Sequence, residues 1–249
     1  LSILMLANIK DILIIVNKGQ LNQFRKILPE KNNLGIKINY KEQSKPRGLP
    51  EAFLIGEKFI DKDGVALILG DNFFYGQSLT SILKKCIKHK HGAKVFLHPV
   101  KNPNLYGVAS INNKKKIVKI VEKPKRTKSN LAITGMYFFD NKVIEFSKKL
   151  KPSNRKELEI TDLLNKYRLK GQLKSEFLGR GGTWLDSGNI EDLYNASSFV
   201  SAIENRQGLK IGCLEEIAFN NNWINKKDIK NSIKFYGNSN YSKYLQKLI

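Results

Sequence analysis

Val65-Ala-Leu-Ile-Leu-Gly-Asp-Asn-Phe-Phe-Tyr-Gly76 is the stretch from which the fold is read. Val65 to Leu69 run without a polar break. Such a run suits a strand buried on both faces, as in a parallel sheet. Gly70 ends the strand and Asp71 follows at once. An acidic residue just past the carboxyl end of such a strand sits where open α/β sheets bind ligands. A carboxylate there can hold a divalent cation against phosphate oxygens. Gly-Asp-Asn is equally ordinary turn chemistry, with Asp as a cap.

Working outward, the spacing predicts strands over 11–16 and 37–42, helices over 20–28 and 48–57, a helix over 78–88 and a strand over 93–100. Strand and helix alternating at this spacing argue for crossover units and a largely parallel sheet. After residue 100 the rhythm changes. Short strands over 106–111, 116–121 and 132–140 read as an antiparallel or mixed insertion on the same sheet. Helices follow over 142–149 and 162–170, the second with Thr161 as its cap. Strands over 173–178 and 183–186 come next, and from Asn189 the pattern is helical. The expected class is α/β: a Rossmann-like mixed, mostly parallel sheet flanked by helices, with a C-terminal helical extension.

The 249 residues suffice for one large α/β domain or two small ones, and 41% hydrophobic residues support a real core. No apolar run reaches the roughly 18 residues of a membrane helix. The opening stretch lacks a basic leader and a cleavage site, so it does not read as a signal peptide. Cys86 and Cys213 stand far apart. They offer neither metal spacing nor a disulfide framework, which fits a reducing cytoplasm. Lys plus Arg is 44 against 22 acidic residues, a net charge of +22. That balance raises nucleic acid as a partner. The lysines are spread through every segment, however, and Lys, Ile and Asn share A/T-rich codons, so base composition accounts for the charge without a nucleic-acid role.

Several residues can carry chemistry, each beside a plainer reading. Asp186 in Trp184-Leu-Asp-Ser-Gly188 ends a second strand. With Asp71 it would make a sparse Mg²⁺ site; alone it is a cap for the next helix. Lys123 in Glu122-Lys-Pro124 can meet a phosphate as a point charge or be a solvated surface residue. Tyr106-Gly107 and Thr134-Gly135 put small residues where backbone approaches a ligand closely, or mark strand irregularity. Arg155 binds phosphate or pairs with a nearby acid. Trp184 lines a pocket or packs in the core.

GDNFFYG, NLYGV, VEKP, TGMYFFD, ELEITD, GGTWLDSG and ENRQGLKIGCLEEIAF occur here in one order. Together they resemble the sugar-nucleotide pyrophosphorylase family, and the short-form bacterial glucose-1-phosphate thymidylyltransferases in particular, from Leu1 to Ile249. The resemblance implies that a sugar 1-phosphate oxygen attacks the α-phosphorus of dTTP and that pyrophosphate leaves, in deoxysugar biosynthesis of the dTDP-rhamnose type. It implies that Asp71 and Asp186 hold Mg²⁺ and that Gln43 and Gly48 contact the nucleotide base. Tyr106, Gly107, Glu122, Lys123, Thr134 and Gly135 would line the sugar-phosphate site, beside Trp184. Lys123 and Arg155 would neutralise the phosphate. The implied assembly is a homotetramer with an end-product site. Residues 1–249 would form one nucleotidyltransferase domain, with 1–100 on the nucleotide side, 101–188 on the sugar-phosphate side and 189–249 as the helical tail.

The resemblance also implies a G-G-x-G-T-R-L loop wrapping the triphosphate. No stretch of this sequence matches it, so the expectation is an N-terminally incomplete sequence, short by about 40 residues, a strand, a loop and an extended stretch. A catalytically inactive relative serving as a binding or assembly subunit is the alternative. Lys156 is a second departure, standing where the family has Gly before Glu-Leu-Glu-Ile-Thr-Asp.

Overall fold

The computed structural model describes all residues from Leu1 to Ile249. In chain order the elements begin with α1 (Ser2–Leu6), β1 (Asp11–Asn17), α2 (Leu21–Ile27), β2 (Lys37–Gln43), α3 (Glu51–Ile55), α4 (Glu57–Ile60), β3 (Val65–Ile68) and β4 (Asn72–Tyr75). They continue with α5 (Leu79–Ile87), β5 (Ala93–Pro99), a 3₁₀ turn over Pro103–Leu105, β6 (Gly107–Ile111), β7 (Ile117–Glu122) and β8 (Leu131–Phe139). The last are α6 (Lys142–Lys148), α7 (Ile160–Leu169), β9 (Leu173–Phe177), β10 (Thr183–Asp186), α8 (Ile190–Gln207), α9 (Leu214–Asn220), α10 (Lys226–Tyr236) and α11 (Asn240–Gln246). The chain divides into two compact units, Gln43–Leu185 and Leu1–Glu42 with Asp186–Ile249.

The first of these units holds a six-stranded mixed sheet in the order β7-β6-β8-β5-β9, with β3 also paired to β8. β3, β5 and β6 each run antiparallel to β8, while β7 runs antiparallel to β6 and β9 parallel to β5. Thus β3, β5, β6 and β9 point one way, and β7 and β8 the other. The expected mixed sheet with a prevailing direction is present, but β5–β9 is its one directly parallel pair. β8 runs back between strands that would otherwise be parallel neighbours. The short connections of the β6–β7 hairpin enforce antiparallel pairing, since parallel neighbours need a long crossover.

β8 is the hub. Along one edge it pairs with β5 from Leu131 to Phe139. Its other edge is shared: Met136–Phe139 pair with β3, and Ala132 pairs with Val108 of β6. Between these two partners the edge forks around Gly135. Strand alternation sends Val95 and Leu97 of β5 and Tyr137 and Phe139 of β8 into one core with Phe53, Phe146, Leu163 and Tyr167 from the helices. Phe96 lies on the other face and meets Phe74 of β4 at 6.4 Å. β3 differs from its sequence reading: all four of its residues are half-buried. It pairs with β8 and is not enclosed on both faces. β4 was unexpected; Asn72, read within Gly70-Asp-Asn72 as turn chemistry, opens a strand that pairs with β10.

In the other unit, β1 and β2 pair as a two-stranded ribbon. α1 is tied to the segment after α9 by the Asn221 carboxamide, which donates to the Met5 carbonyl at 3.1 Å. Cys213, Ile229, Tyr244 and Leu245 form a small core among the C-terminal helices. Asn189 caps α8 by accepting the Asp192 N–H at 2.9 Å, and Gly208 closes the helix at φ 69°. Two cap expectations are thereby corrected. Asp186 does not cap α8; it accepts the Gly188 N–H at 3.1 Å. Thr161 lies inside α7, whose cap position is Glu159, and its hydroxyl meets Glu122.

Under the sheet, the buried Tyr167 hydroxyl donates to Asp140 Oδ1 at 2.7 Å, and Asp140 Oδ2 accepts the Gly92 N–H at 2.7 Å. This joins α7 to the β8 end and the turn before β5. Tyr167→Phe removes one hydrogen bond to a buried carboxylate. It is expected to destabilise by about 1.5–3 kcal/mol, read from the urea midpoint; a loss under about 0.5 kcal/mol would contradict the assignment.

Candidate active site

The fork in β8 organises the site. A strand edge without a neighbour leaves its backbone groups needing partners. The Gly135 carbonyl accepts the Leu69 N–H at 3.0 Å, and the Gly135 N–H donates to Asn72 Oδ1 at 3.0 Å. A Cβ at position 135 would lie 2.5 Å from Asn72 Oδ1 and 2.9 Å from Leu69 Cδ1, so a side chain there would displace both. These bonds pin the loop Leu69-Gly-Asp-Asn72 across the fork and set Asp71 at its outer end, exposed to solvent. Asn72 Nδ2 donates to Asp71 Oδ1 at 2.7 Å.

Trp184 comes from β10, opposite β4. It is buried at 7% exposure, and its indole N–H donates to Asn72 Oδ1 at 2.6 Å. Its ring meets Tyr106 edge-on at 5.1 Å and His98 at 6.2 Å. Gly107 opens β6 opposite Glu122 of β7. A Cβ on Gly107 would lie 2.8 Å from Thr161 Cγ2 and 3.2 Å from Glu122 Oε2, so this glycine also keeps the strands close. Thr134 is fully buried and its hydroxyl has no hydrogen-bond partner. An unmet polar group beside a break in a sheet is the kind of feature that marks functional regions.

Lys123 is exposed and has φ 38°, while its N–H donates to the Tyr106 carbonyl at 3.1 Å. A positive φ directly before proline is an uncommon and costly backbone state. Glu122 is raised from its ordinary carboxylate range, first by burial and then by the nearby Glu159; Thr161, Arg155 and Lys123 act against this. Arg155 reaches Glu157 at 3.2 Å, Glu122 at 3.6 Å and Glu159 at 3.7 Å. The acid-pairing reading of Arg155 therefore describes this structure. Ser153 donates to the other oxygen of Glu159 at 2.7 Å. Sequence reasoning missed Asn72, Glu159 and Ser153. Asn72 was in view inside GDNFFYG, but turn chemistry accounts for an Asn there without revealing three bonds.

The remaining expected residues stand elsewhere. Gln43 donates to Glu51 at 2.5 Å. Gly48 has φ 103°, and a Cβ there would fall 2.1 Å from the Leu158 carbonyl oxygen. Its close backbone approach is to Leu158. Asp186 closes β10 and opens the other compact unit. No group of three or more His, Cys, Asp and Glu is placed to hold a metal. Cys86 and Cys213 are free and buried, and no helix is long and apolar enough to cross a membrane.

Residues 1–203 match the nucleotidyl transferase family model. A glucose-1-phosphate thymidylyltransferase of Neisseria meningitidis is 47% identical over 249 residues, covering 100% of this chain and 86% of that protein. One from Xanthomonas campestris pv. campestris is 42% identical over 248 residues, covering 100% of this chain and 84% of that protein. A solved structure from Bacillus anthracis superposes with a TM-score of 0.73 at 37% identity, covering 80% of this chain and 79% of its own.

The departure at Lys156 has a measurable cost. Lys156 sits at φ 61°, a region that costs a non-glycine residue roughly 1–2 kcal/mol. Lys156→Gly relieves that, less the roughly 0.4–1 kcal/mol of extra chain freedom a glycine adds when unfolded. A net gain of about 0.5–1 kcal/mol in chemical denaturation is expected. A net loss would mean the lysine side chain holds the loop.

Proposed function

The chain belongs to the nucleotidyl transferase family, and we propose that it transfers the thymidylyl group of dTTP to glucose 1-phosphate, forming dTDP-glucose and releasing pyrophosphate. The observation that carries this reading is the whole-chain identity with the Neisseria meningitidis thymidylyltransferase. The geometry supports it. The fork is lined by Tyr106, Gly107, Glu122, Gly135 and Trp184, a mix of aromatic wall, close backbone and carboxylate that suits a sugar ring. Glu122 accepts sugar hydroxyls, and the Tyr106 and Trp184 rings flank the sugar.

In this reading the sugar phosphate oxygen attacks the α-phosphorus, and catalysis is mainly positioning and charge neutralisation. Lys123 and Arg155 bind the sugar phosphate. The phosphate competes with Glu122, Glu157 and Glu159 for the Arg155 guanidinium, which releases Glu122 toward the sugar. Asp71 and Asp186 would each offer Mg²⁺ carboxylate oxygens, which suits a cation that usually takes one or two carboxylates and leaves its other positions to phosphates and water. When bound, the ion supplies charge neutralisation at the phosphoryl oxygens. Gln43 and Gly48 belong to the base side. Residues 1–100 serve the nucleotide, 101–188 the sugar phosphate, and 189–249 form the helical tail. The two free thiols suit a cytoplasmic setting, and the product suits dTDP-deoxysugar synthesis.

The test is pyrophosphate release by the purified protein from dTTP or UTP with glucose 1-phosphate or galactose 1-phosphate. The dTTP and glucose 1-phosphate pair is expected to give the highest kcat/KM. Asp71→Asn is expected to lower kcat about 100-fold or more, equivalent to roughly 3 kcal/mol of transition-state stabilisation. Turnover with UTP exceeding that with dTTP would overturn the nucleotide assignment. Near-normal kcat in Asp71→Asn would remove Asp71 from the chemistry.

The assembly proposed is a homotetramer. Its support is α8, whose 18 residues bury only Ala196 while Ile190, Leu193 and Tyr194 are 89%, 54% and 71% exposed. Such an apolar helix face is the kind that a second copy covers. Light scattering should return four times the 28.4 kDa chain mass, and Leu193→Glu should lower it; a monomeric mass at micromolar concentration would refute the assembly.

A further inference from the structure

Three hydrogen bonds converge on one carboxamide. Asn72 Oδ1 accepts from the Gly135 N–H at 3.0 Å and from the Trp184 indole N–H at 2.6 Å, while Nδ2 donates to Asp71 Oδ1 at 2.7 Å. The chemistry of the partners fixes which way the group points. A backbone N–H and an indole N–H are donors only, so both must face the amide oxygen. That oxygen has two lone pairs, and these two donors use them. The NH₂ is thereby turned outward, toward a carboxylate that can only accept while ionised. No rotation of the amide satisfies all three partners the other way round. The anchor points are fixed as well: Gly135 lies in the fork of β8, and Trp184 is buried against Tyr106.

We propose that Asn72 is a positioning residue that aligns the Asp71 carboxylate with the sheet fork and the Trp184 wall. Its acceptor end reads the frame of the sugar-phosphate side, and its donor end transmits that frame to Asp71. Small misplacements of a catalytic group carry large rate costs. Asn72 need not touch the substrate to matter. It also links recognition at the fork with the reacting phosphates, because movement of Trp184 or of the Gly135 backbone is passed through one rigid amide.

The kinetic arm of the test rests on the thymidylyltransferase reading, and a second arm does not. In a double-mutant cycle with Asp71→Asn, Asn72→Ala is expected to lower kcat about tenfold or more in the wild-type background and less than about twofold in the Asp71→Asn background. KM for dTTP and for glucose 1-phosphate should each stay within about threefold, as for loss of an interaction expressed in the transition state. Equal losses in both backgrounds, or a loss confined to KM for glucose 1-phosphate, would overturn the proposal, the latter by showing a substrate contact. If Asn72→Ala does not fold, Asn72→Asp carries the same cycle: it keeps the acceptor for Gly135 and Trp184 and replaces the donor to Asp71 with a like charge, a repulsion that the Asp71→Asn background removes. The non-catalytic arm uses the metal-free protein. Asp71→Ala should move the Asn72 side-chain amide resonances and leave the Gly135 amide resonance in place. Unmoved Asn72 resonances would refute the link even in a protein that proved inactive with dTTP, an outcome that would separately defeat the functional reading.

Discussion

An edge of β8 shared by two partners sets the geometry of residues 43–185. β5 covers the whole of one edge, but β3 takes only Met136–Phe139 of the other, and β6 takes Ala132. The stretch between cannot pair with either strand, and its backbone groups are too costly to leave unmet. The Leu69 N–H and the Asn72 carboxamide meet those at Gly135. Everything distinctive nearby follows from that demand. The loop after β3 is pinned across the fork, a side chain at position 135 is excluded, and β4 starts at the residue whose side chain fills the gap. Trp184 then closes over the same amide from β10. A break in regular pairing thus becomes a place where small residues, an indole and a carboxylate are held together.

The electrostatics around the fork run against the charge of the chain as a whole. The sequence carries +22, yet Arg155 is surrounded by Glu122, Glu157 and Glu159. Burial and the proximity of Glu159 raise Glu122, while Arg155 and Thr161 oppose that shift. In the proposed reaction, a phosphate dianion arriving at Arg155 replaces carboxylates already engaged there and so frees Glu122. The general basic charge is spread over the surface and adds only a weak, salt-sensitive attraction for anionic substrates.

Much of this was legible in the sequence because it depends on local pattern. The apolar run of β3, the strands at 93–100 and 132–140 and the helices flanking them all announce themselves by local pattern. The residues at the fork came into view through ordered short motifs. What stayed hidden depends on which strands meet. The partner change along β8 joins residues of β3 and β6 that sequence spacing does not relate, so neither the fork nor the role of Asn72 was visible. Gly-Asp-Asn satisfied a turn reading and concealed a strand beginning at Asn72. The cap of α8 fell to Asn189 and not to Asp186, a choice set by where the helix backbone starts. Likewise, α7 begins at Ile160, before the start at 162 that the pattern gives, and Thr161 falls inside it.

The fork beside Gly135 is where the sugar phosphate is proposed to bind. Titrating glucose 1-phosphate into the ¹⁵N-labelled protein while following backbone amide resonances tests this most directly. The largest shifts are expected on Gly107, Lys123, Gly135 and the Trp184 indole N–H, saturating together. Saturable shifts confined to β1, β2 or the helices after Asn189, with those four resonances unmoved, would contradict it.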